Sequence, residues 1–508
     1  MKIFRVATLA VAATFAVSGC AGGDGGSSSG APDDALDITF SYVPSSFDPP
    51  DVGDNPTSQF LQPVYDTLTQ VQPDGSVGPR LATEWEYTDD ALQVLRMTLR
   101  DDVTFSDGTP FDAAAVKANI EHFLTGTGPA VNNVRTIQEV VVVDPTTVEL
   151  HLSEPNPALL RYLALTAGMM VSPAVLGQES LATAPVGSGP YVLSTDGTVS
   201  GSKYVYTRNP DYWAADSYPY DQITLSSIAE VTARLNAVRT GQADVSQITP
   251  KTMAEAESAG LDVTHFSSGD IMQLVLIDRG GQLSPALADP RVRQAINMAI
   301  DRESVVSAVY DGLGQPTTQL FNPSSDAWLD ELADRYPYDP AAARELLAEA
   351  GYADGLTLNV PEFTGIADLF AIVAQQLGEV GITVQSTKVP DAQANTEMRS
   401  GKYPAVLQQL QSNDPWQAIQ LMVMPQSAWN PLGYQEPALD ELIRTAQSAT
   451  GDARATAYQE LNRYLVEQAW SAPLAVAETV FASEDDVTVT PYAYSVIPPI
   501  EGYAPAGS

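Results

Sequence analysis

Apolar positions along this chain follow two rhythms that take turns. Period-two alternation, or a short apolar run between turn residues, predicts strands at 35–42, 136–152, 223–228, 382–389 and 406–411. Asp144-Pro145 predicts the turn that folds 136–152 into two strands, and Asp244-Val245 opens a further strand. The 3.6-residue rhythm predicts helices between them. Asp112 caps one that puts Val116, Ile120 and Phe123 on one face, and 231–240 forms another, closed by Gly241. Asp289-Pro290 pairs an N-cap with a first-turn proline ahead of Val292, Ala295, Ile296, Ala299 and Ile300. Asp339-Pro340 repeats the device before Leu346, Leu347 and Ala350, with Gly351 as the stop. Leu369, Ile372, Val373, Leu377 and Val380 form a last stripe, ended by Gly381. Strands alternating with helices predict an α/β fold with mainly parallel sheets.

The first twenty residues break the pattern. Lys2 and Arg5 precede an apolar run of twelve residues at 6–17, too short to cross a bilayer core of about 30 Å as a helix. The run ends in Val17-Ser18-Gly19-Cys20, which resembles the lipobox of bacterial lipoproteins, whose cysteine takes a diacylglycerol and becomes the new N-terminus. Residues 21–34 are rich in Gly and Ser without apolar periodicity, as a flexible tether is. The expectation is a signal peptide at 1–19, lipidated Cys20 and a tether to 35. The remainder is expected outside the cytoplasm, held at the cell membrane by lipid alone.

Composition removes several classes. The 508 residues carry 25 Lys plus Arg against 63 Asp plus Glu, a net charge of −38 that repels phosphate backbones and excludes nucleic acid as partner. A single cysteine forbids an intrachain disulfide, and the three histidines (His122, His151, His265) stand far apart, so neither cysteine clusters nor multi-histidine metal sites are expected. Gly26-Ser27-Ser28-Ser29-Gly30 satisfies the G-x-S-x-G pattern of serine hydrolases, but it sits in the tether, where no strand and helix frame it. Asp33-Asp34 and Asp101-Asp102 are adjacent acids, and neighbours on a strand point to opposite faces.

The segment LRDDVTFSDGTPFDAAAV at 99–116 is similar to the signature of family 5 of the bacterial extracellular solute-binding proteins. SSFDPP (45–50), VYDTL (64–68), PVGSGPYVL (185–193), RNPDYW (208–213) and DPRVRQAINMAIDRE (289–303) agree with it in the same order. GQAD (241–244) and YDPAAARELLAEAGY (338–352) match further elements. That family contains peptide, dipeptide, nickel and opine receptors of ABC importers. Most of these motifs also have structural readings: Asp107-Gly108 makes a turn, Gly187 to Pro190 a chain reversal, and Arg291 and Arg293 are expected as ion-pair partners.

The resemblance implies a bilobal type II periplasmic-binding fold with an enlarged first lobe. Lobe I would combine 36–60, 188–275 and 478–508, with 61–187 as its inserted subdomain, and lobe II would be 276–477. A peptide or peptide-sized solute would bind in the interlobe cleft, and the closed monomer would dock on the permease subunits, with no chemistry on the solute and no metal or cofactor. Tyr42 and Ser45 leave the first strand where relatives contact ligand. The exit loop after 406–411 supplies Gln411, Asn413, Asp414 and Trp416, and Trp429 is a second aromatic expected to stack on the ligand.

Peptide-binding relatives carry W-x-x-D-x-x-D-P in that loop, where the first Asp holds the peptide's ammonium. Here the Trp is absent, the loop is two residues short, and Gln411 or Asn413 takes that Asp's place. An amide cannot neutralise an ammonium in a cleft. The expectation from the loop is therefore a ligand without a free α-ammonium, unless Asp414 or another acid such as Asp278 takes over. A receptor for an oligosaccharide, opine or metal complex is the alternative in the same fold. A receptor-like protein that presents its ligand to a sensor or adhesion partner is another. A secreted hydrolase is the enzyme alternative, for which no motif places a nucleophile and base.

Overall fold

The structure is a computed structural model that describes residues 35–507 apart from 55, 413, 426 and 494. Cys20, the tether and Asn413 lie outside the described residues.

A mixed sheet runs through both halves of the molecule. Its strands lie in the order Ala405–Gln411, Asp262–Leu276, Ala472–Ser483, Val245–Ile248, Ala35–Phe40, Gln222–Ser227, Lys203–Arg208 and Tyr191–Val199, with Gln315–Pro316 added beside Ala472–Ser483. In this sheet Ala35–Phe40 is parallel to both its neighbours, while the other pairings are antiparallel. A second sheet, Ala82–Tyr87, Val94–Leu99, Thr147–Leu152 and Ile137–Asp144, is antiparallel throughout. The expectation of mainly parallel sheets is thus corrected. Helical crossovers join only some neighbours, and hairpins or whole subdomains join the rest.

The predicted elements form where their caps and stripes place them. Asp112 accepts a hydrogen bond from Ala115 N and starts Ala113–Thr125, whose Val116, Ile120 and Phe123 are buried. Asp289 and Asp339 cap Pro290–Met298 and Pro340–Glu349. Gly351 and Gly381 follow their helices at φ of 90° and 93°, a conformation that costs glycine nothing. Arg291 pairs with Asp289 at 2.6 Å as expected. Arg293 does otherwise: it is buried and donates to the carbonyls of Leu287, Ala288 and Gln468.

Two long strands join the halves. Asp262–Leu276 pairs with Ala472–Ser483 in three registers, Asp262↔Ser483 to Ser267↔Glu478, Ile271↔Val476 to Met272↔Ala475, and from Gln273↔Pro473, with a slip between Met272 and Gln273 and a wider irregularity between Ser267 and Ile271. Gly269 at φ 75° and the bond from Ser268 Oγ to Ala477 O (3.0 Å) shape that break. A strand irregularity bends the ribbon locally, so the sheet changes direction where one half gives way to the other.

Three apolar clusters follow. One fills the half around Ala35–Phe40, with Phe47, Phe60 and Tyr206. Another lies under the helices that flank the parallel pair Leu356–Glu362 and Ile382–Lys388. The third runs from Leu159, Tyr162 and Leu163 to Trp416, Ile419 and Trp429, and so bridges the two halves.

Candidate functional site

Several sequence motifs meet at one point. Asp66 of VYDTL is fully buried and accepts hydrogen bonds from Tyr212 Oη (2.9 Å) and Trp213 Nε1 (2.9 Å) of RNPDYW, and from Arg80 Nε (2.6 Å). PVGSGPYVL packs against the same turn: Gly189 N donates to Val64 O at 2.8 Å. A Cβ on Gly187 would lie 2.2 Å from Val64 O, and one on Gly189 would lie 2.4 Å from Val64 C, so neither position tolerates a side chain. These motifs build the wall of a cavity.

The cavity measures about 870 Å³ counting its open mouth, and it is lined from both halves. Gln70, Arg80 and Arg161 come from the segment 61–187, Glu501 from the C-terminal segment, and Gln411 and Gln417 from the other half. A second, larger opening of about 1360 Å³ adjoins it at Arg161 and is bordered by Asp414 and Arg454. Ligand sites are commonly of this size and at such junctions.

The charges in the cavity are fixed by their neighbours. Burial works against the Arg80 guanidinium, but Tyr218, Asp66, Tyr212 and Glu501 outweigh it and hold its pKa well above the ordinary value. Arg80 also donates to Tyr218 Oη at 2.8 Å and to Glu501 Oε1 at 3.3 Å. Asp54 accepts from Thr166 N (3.3 Å), Thr166 Oγ1 and Asn133 Nδ2 (3.0 Å). Burial pushes its carboxyl above the usual range, against those bonds and the Arg161 charge. Arg161 Nη1 donates to Gly75 O at 3.3 Å.

The residues expected at the cleft fare differently. Gln411 lines the cavity. Asp414 borders the adjoining opening, and its Oδ1 caps Pro415–Met422 by accepting from Trp416 N (2.8 Å) and Gln417 N (3.1 Å). Trp416 and Trp429 are 1% and 0% exposed, so neither ring presents a face for stacking in this conformation. Tyr42 packs on Phe40 and Phe60 at 5.4 and 6.3 Å between ring centres, and Ser45 is exposed; neither lines the cavity. Asp278 is fully buried and accepts from Gln282 N, Leu283 N and Ser284 N at 2.6–2.7 Å, which commits it to a turn.

Asp54, Arg80, Arg161, Gln417 and Glu501 escaped the sequence reading. One signal was available: Arg80 and Arg161 are flanked by apolar or proline neighbours in a chain with few cations.

A family model described as bacterial extracellular solute-binding proteins, family 5 middle, matches residues 76–430. The glutathione-binding protein GsiB of Salmonella paratyphi A is 31% identical over 361 residues, 70% of this chain and 69% of that protein. NikA of Brucella suis, solved with Fe(III)-EDTA, is 27% identical with a TM-score of 0.79, covering 93% of this chain and 100% of NikA. DppA of Helicobacter pylori, solved with the peptide STSA, shares the fold at 21% identity and a TM-score of 0.78, covering 93% of this chain and 98% of DppA. These relatives are solute-binding proteins rather than enzymes. Among the described residues no helix is long and apolar enough to cross a membrane. With a cavity built from both halves, the fold of the type II periplasmic-binding proteins and a family match over most of its length, the chain belongs to family 5 of the bacterial extracellular solute-binding proteins, the substrate-binding components of ABC transporters.

Proposed function

We propose that the protein captures a peptide-sized solute in the cavity shared by its two halves and delivers it to an ABC permease without altering it. The observation that carries this reading is the cavity itself, which joins Arg80 and Glu501 to Gln411 and Gln417 from the opposite half. A solute seated there touches both halves and so favours the closed arrangement by its differential affinity. The lobes follow the division 36–60, 188–275 and 478–508 against 276–477, with 61–187 inserted. The pivot lies at the strand irregularity between Ser267 and Ile271. Cys20 carries the lipid anchor that keeps the receptor, a monomer, beside its permease.

The peptide STSA bound to DppA and the tripeptide glutathione bound by GsiB favour a short peptide over other solutes. The experiment is a thermal-shift screen over short peptides, glutathione, opine-like amino acids, oligosaccharides and metal complexes. A ligand at one hundred times its Kd adds about 2.7 kcal/mol to the native state, a rise of a few degrees in Tm. Shifts confined to peptides support the reading. A shift confined to another class replaces the ligand, and conversion of the ligand to products replaces the receptor with a hydrolase.

A further inference from the structure

Glu501 holds a surplus negative charge at the cavity wall. Arg80 is one cation set between two carboxylates, with Asp66 at 2.6 Å and Glu501 at 3.3 Å. Asp66 is the closer partner, and its side chain is fully enclosed, with further bonds from Tyr212 and Trp213. The remaining donors of Arg80 go to the hydroxyls of Tyr212 and Tyr218. Once Arg80 has neutralised Asp66, little is left to balance Glu501.

The geometry of Glu501 points the surplus into the cavity. Its side chain is 18% exposed and lines the space. The hydrogen bonds it accepts among the described residues, from Gln70 Nε2 and Arg80 Nη1, both end on Oε1, leaving Oε2 free to accept from a ligand. Its field reaches the wall beside it: burial and then Glu501 raise the Tyr492 hydroxyl to about 12. The other acid in the cavity, Asp54, spends both oxygens on Thr166 and Asn133. Arg161, the other cation of the cavity, acts on the buried Asp54, so Glu501 has only the share of Arg80 that Asp66 leaves, and a ligand ammonium both completes its neutralisation and adds a charge-assisted hydrogen bond.

We infer that Glu501 receives the free amino group of the ligand, so that the cavity selects peptides with an unblocked N-terminus. This rests on the peptide-receptor reading and reverses the expectation drawn from the exit loop alone. The family's ammonium position in that loop is an amide here, and the acid has moved to the C-terminal segment of the opposite half.

The test uses the mature protein. An equimolar tripeptide mixture is screened by native mass spectrometry, and the best-bound tripeptide is compared with its N-acetylated form by calorimetry. The expected result is that acetylation weakens binding about ten- to a hundredfold in the wild type. In Glu501→Gln the ratio falls toward one while the Tm of the ligand-free protein holds, and Glu501→Asp keeps the preference. If no tripeptide binds, the peptide-receptor reading itself fails. If free and acetylated forms bind alike, or if the preference survives Glu501→Gln and is lost in Asp54→Asn, the assignment of Glu501 is overturned and the receptor reading stands. A crystal structure of the wild-type complex decides independently of how the variants fold: an amine out of hydrogen-bond reach of Glu501 overturns the inference.

Discussion

The Tyr162 hydroxyl donates to Gln420 Oε1 at 2.7 Å, a bond between residues 258 positions apart in the chain. Tyr162 stands in the short helix Leu159–Tyr162, and Gln420 in Pro415–Met422. If the lobes part on opening as proposed above, the bond stabilises the closed arrangement alone. Tyr162→Phe keeps the ring in its apolar surroundings and removes about 1 kcal/mol from closure, weakening ligand binding about fivefold. Calorimetry with the ligand found in the screen measures this, and small-angle scattering follows the expected shift of the ligand-bound protein toward the open form. Unchanged affinity would mean that the bond contributes nothing to closure.

Asp414 is a helix cap, and its substitutions separate that role from ligand anchoring. Asp414→Ala leaves the amides of Trp416 and Gln417 without their acceptor and costs about 1 kcal/mol of stability. Asp414→Asn keeps an oxygen acceptor and is expected within a few tenths of the wild type, with ligand affinity unchanged. A large loss of affinity for an amine-bearing ligand in Asp414→Asn, at unaltered Tm, would restore the loop acid as the ammonium partner.

Two acids held near 6, Asp270 and Asp244, each contribute stability that falls as the pH rises from 4 to 7. Burial raises Asp270, beside the strand irregularity, to about 6, a hydrogen bond from Gln409 opposing it. Burial likewise raises Asp244 to about 6, aided by Asp37, Asp486 and Glu484. The unfolded value is about 3.9, so the folded state binds these protons more tightly. The stabilisation is complete below about pH 4 and is lost as the pH passes through about 6. His122 runs in the same sense at higher pH, because its hydrogen bond to Asp48 raises its pKa. Asp270→Asn is expected to raise stability by about 1–2 kcal/mol at pH 7 and to lose that advantage at pH 4. Denaturant melts at the two pH values measure it; an equal effect at both would remove Asp270 from the titration.

Lipid attachment at Cys20 is checked in cells. Metabolic labelling with a palmitate analogue should mark the wild type, while Cys20→Ala should remain unlabelled and either uncleaved or released. Label retained on Cys20→Ala would place the lipid elsewhere.

Local chemistry was legible wherever it was self-contained. The caps at Asp112, Asp289 and Asp339 and the stops at Gly351 and Gly381 follow from neighbours a few residues away, and each appears where the pattern placed it. Strand direction was not legible. Whether 262–276 meets 472–483 parallel or antiparallel depends on how some 200 intervening residues return. The fate of Trp416 was also hidden. Its place beside an exit loop suggested ligand contact, but it is buried in an apolar cluster that also holds Tyr162 and Leu163, some 250 residues earlier.

By itself the sequence determined the family and the order of helices and strands, because motifs, caps and periodicity act within a few turns of chain. Only the tertiary structure decided which charges share the cavity. Asp66, Arg80 and Glu501 span more than 400 positions, and their electrostatics depend on burial and on distances of about 3 Å that no local pattern encodes.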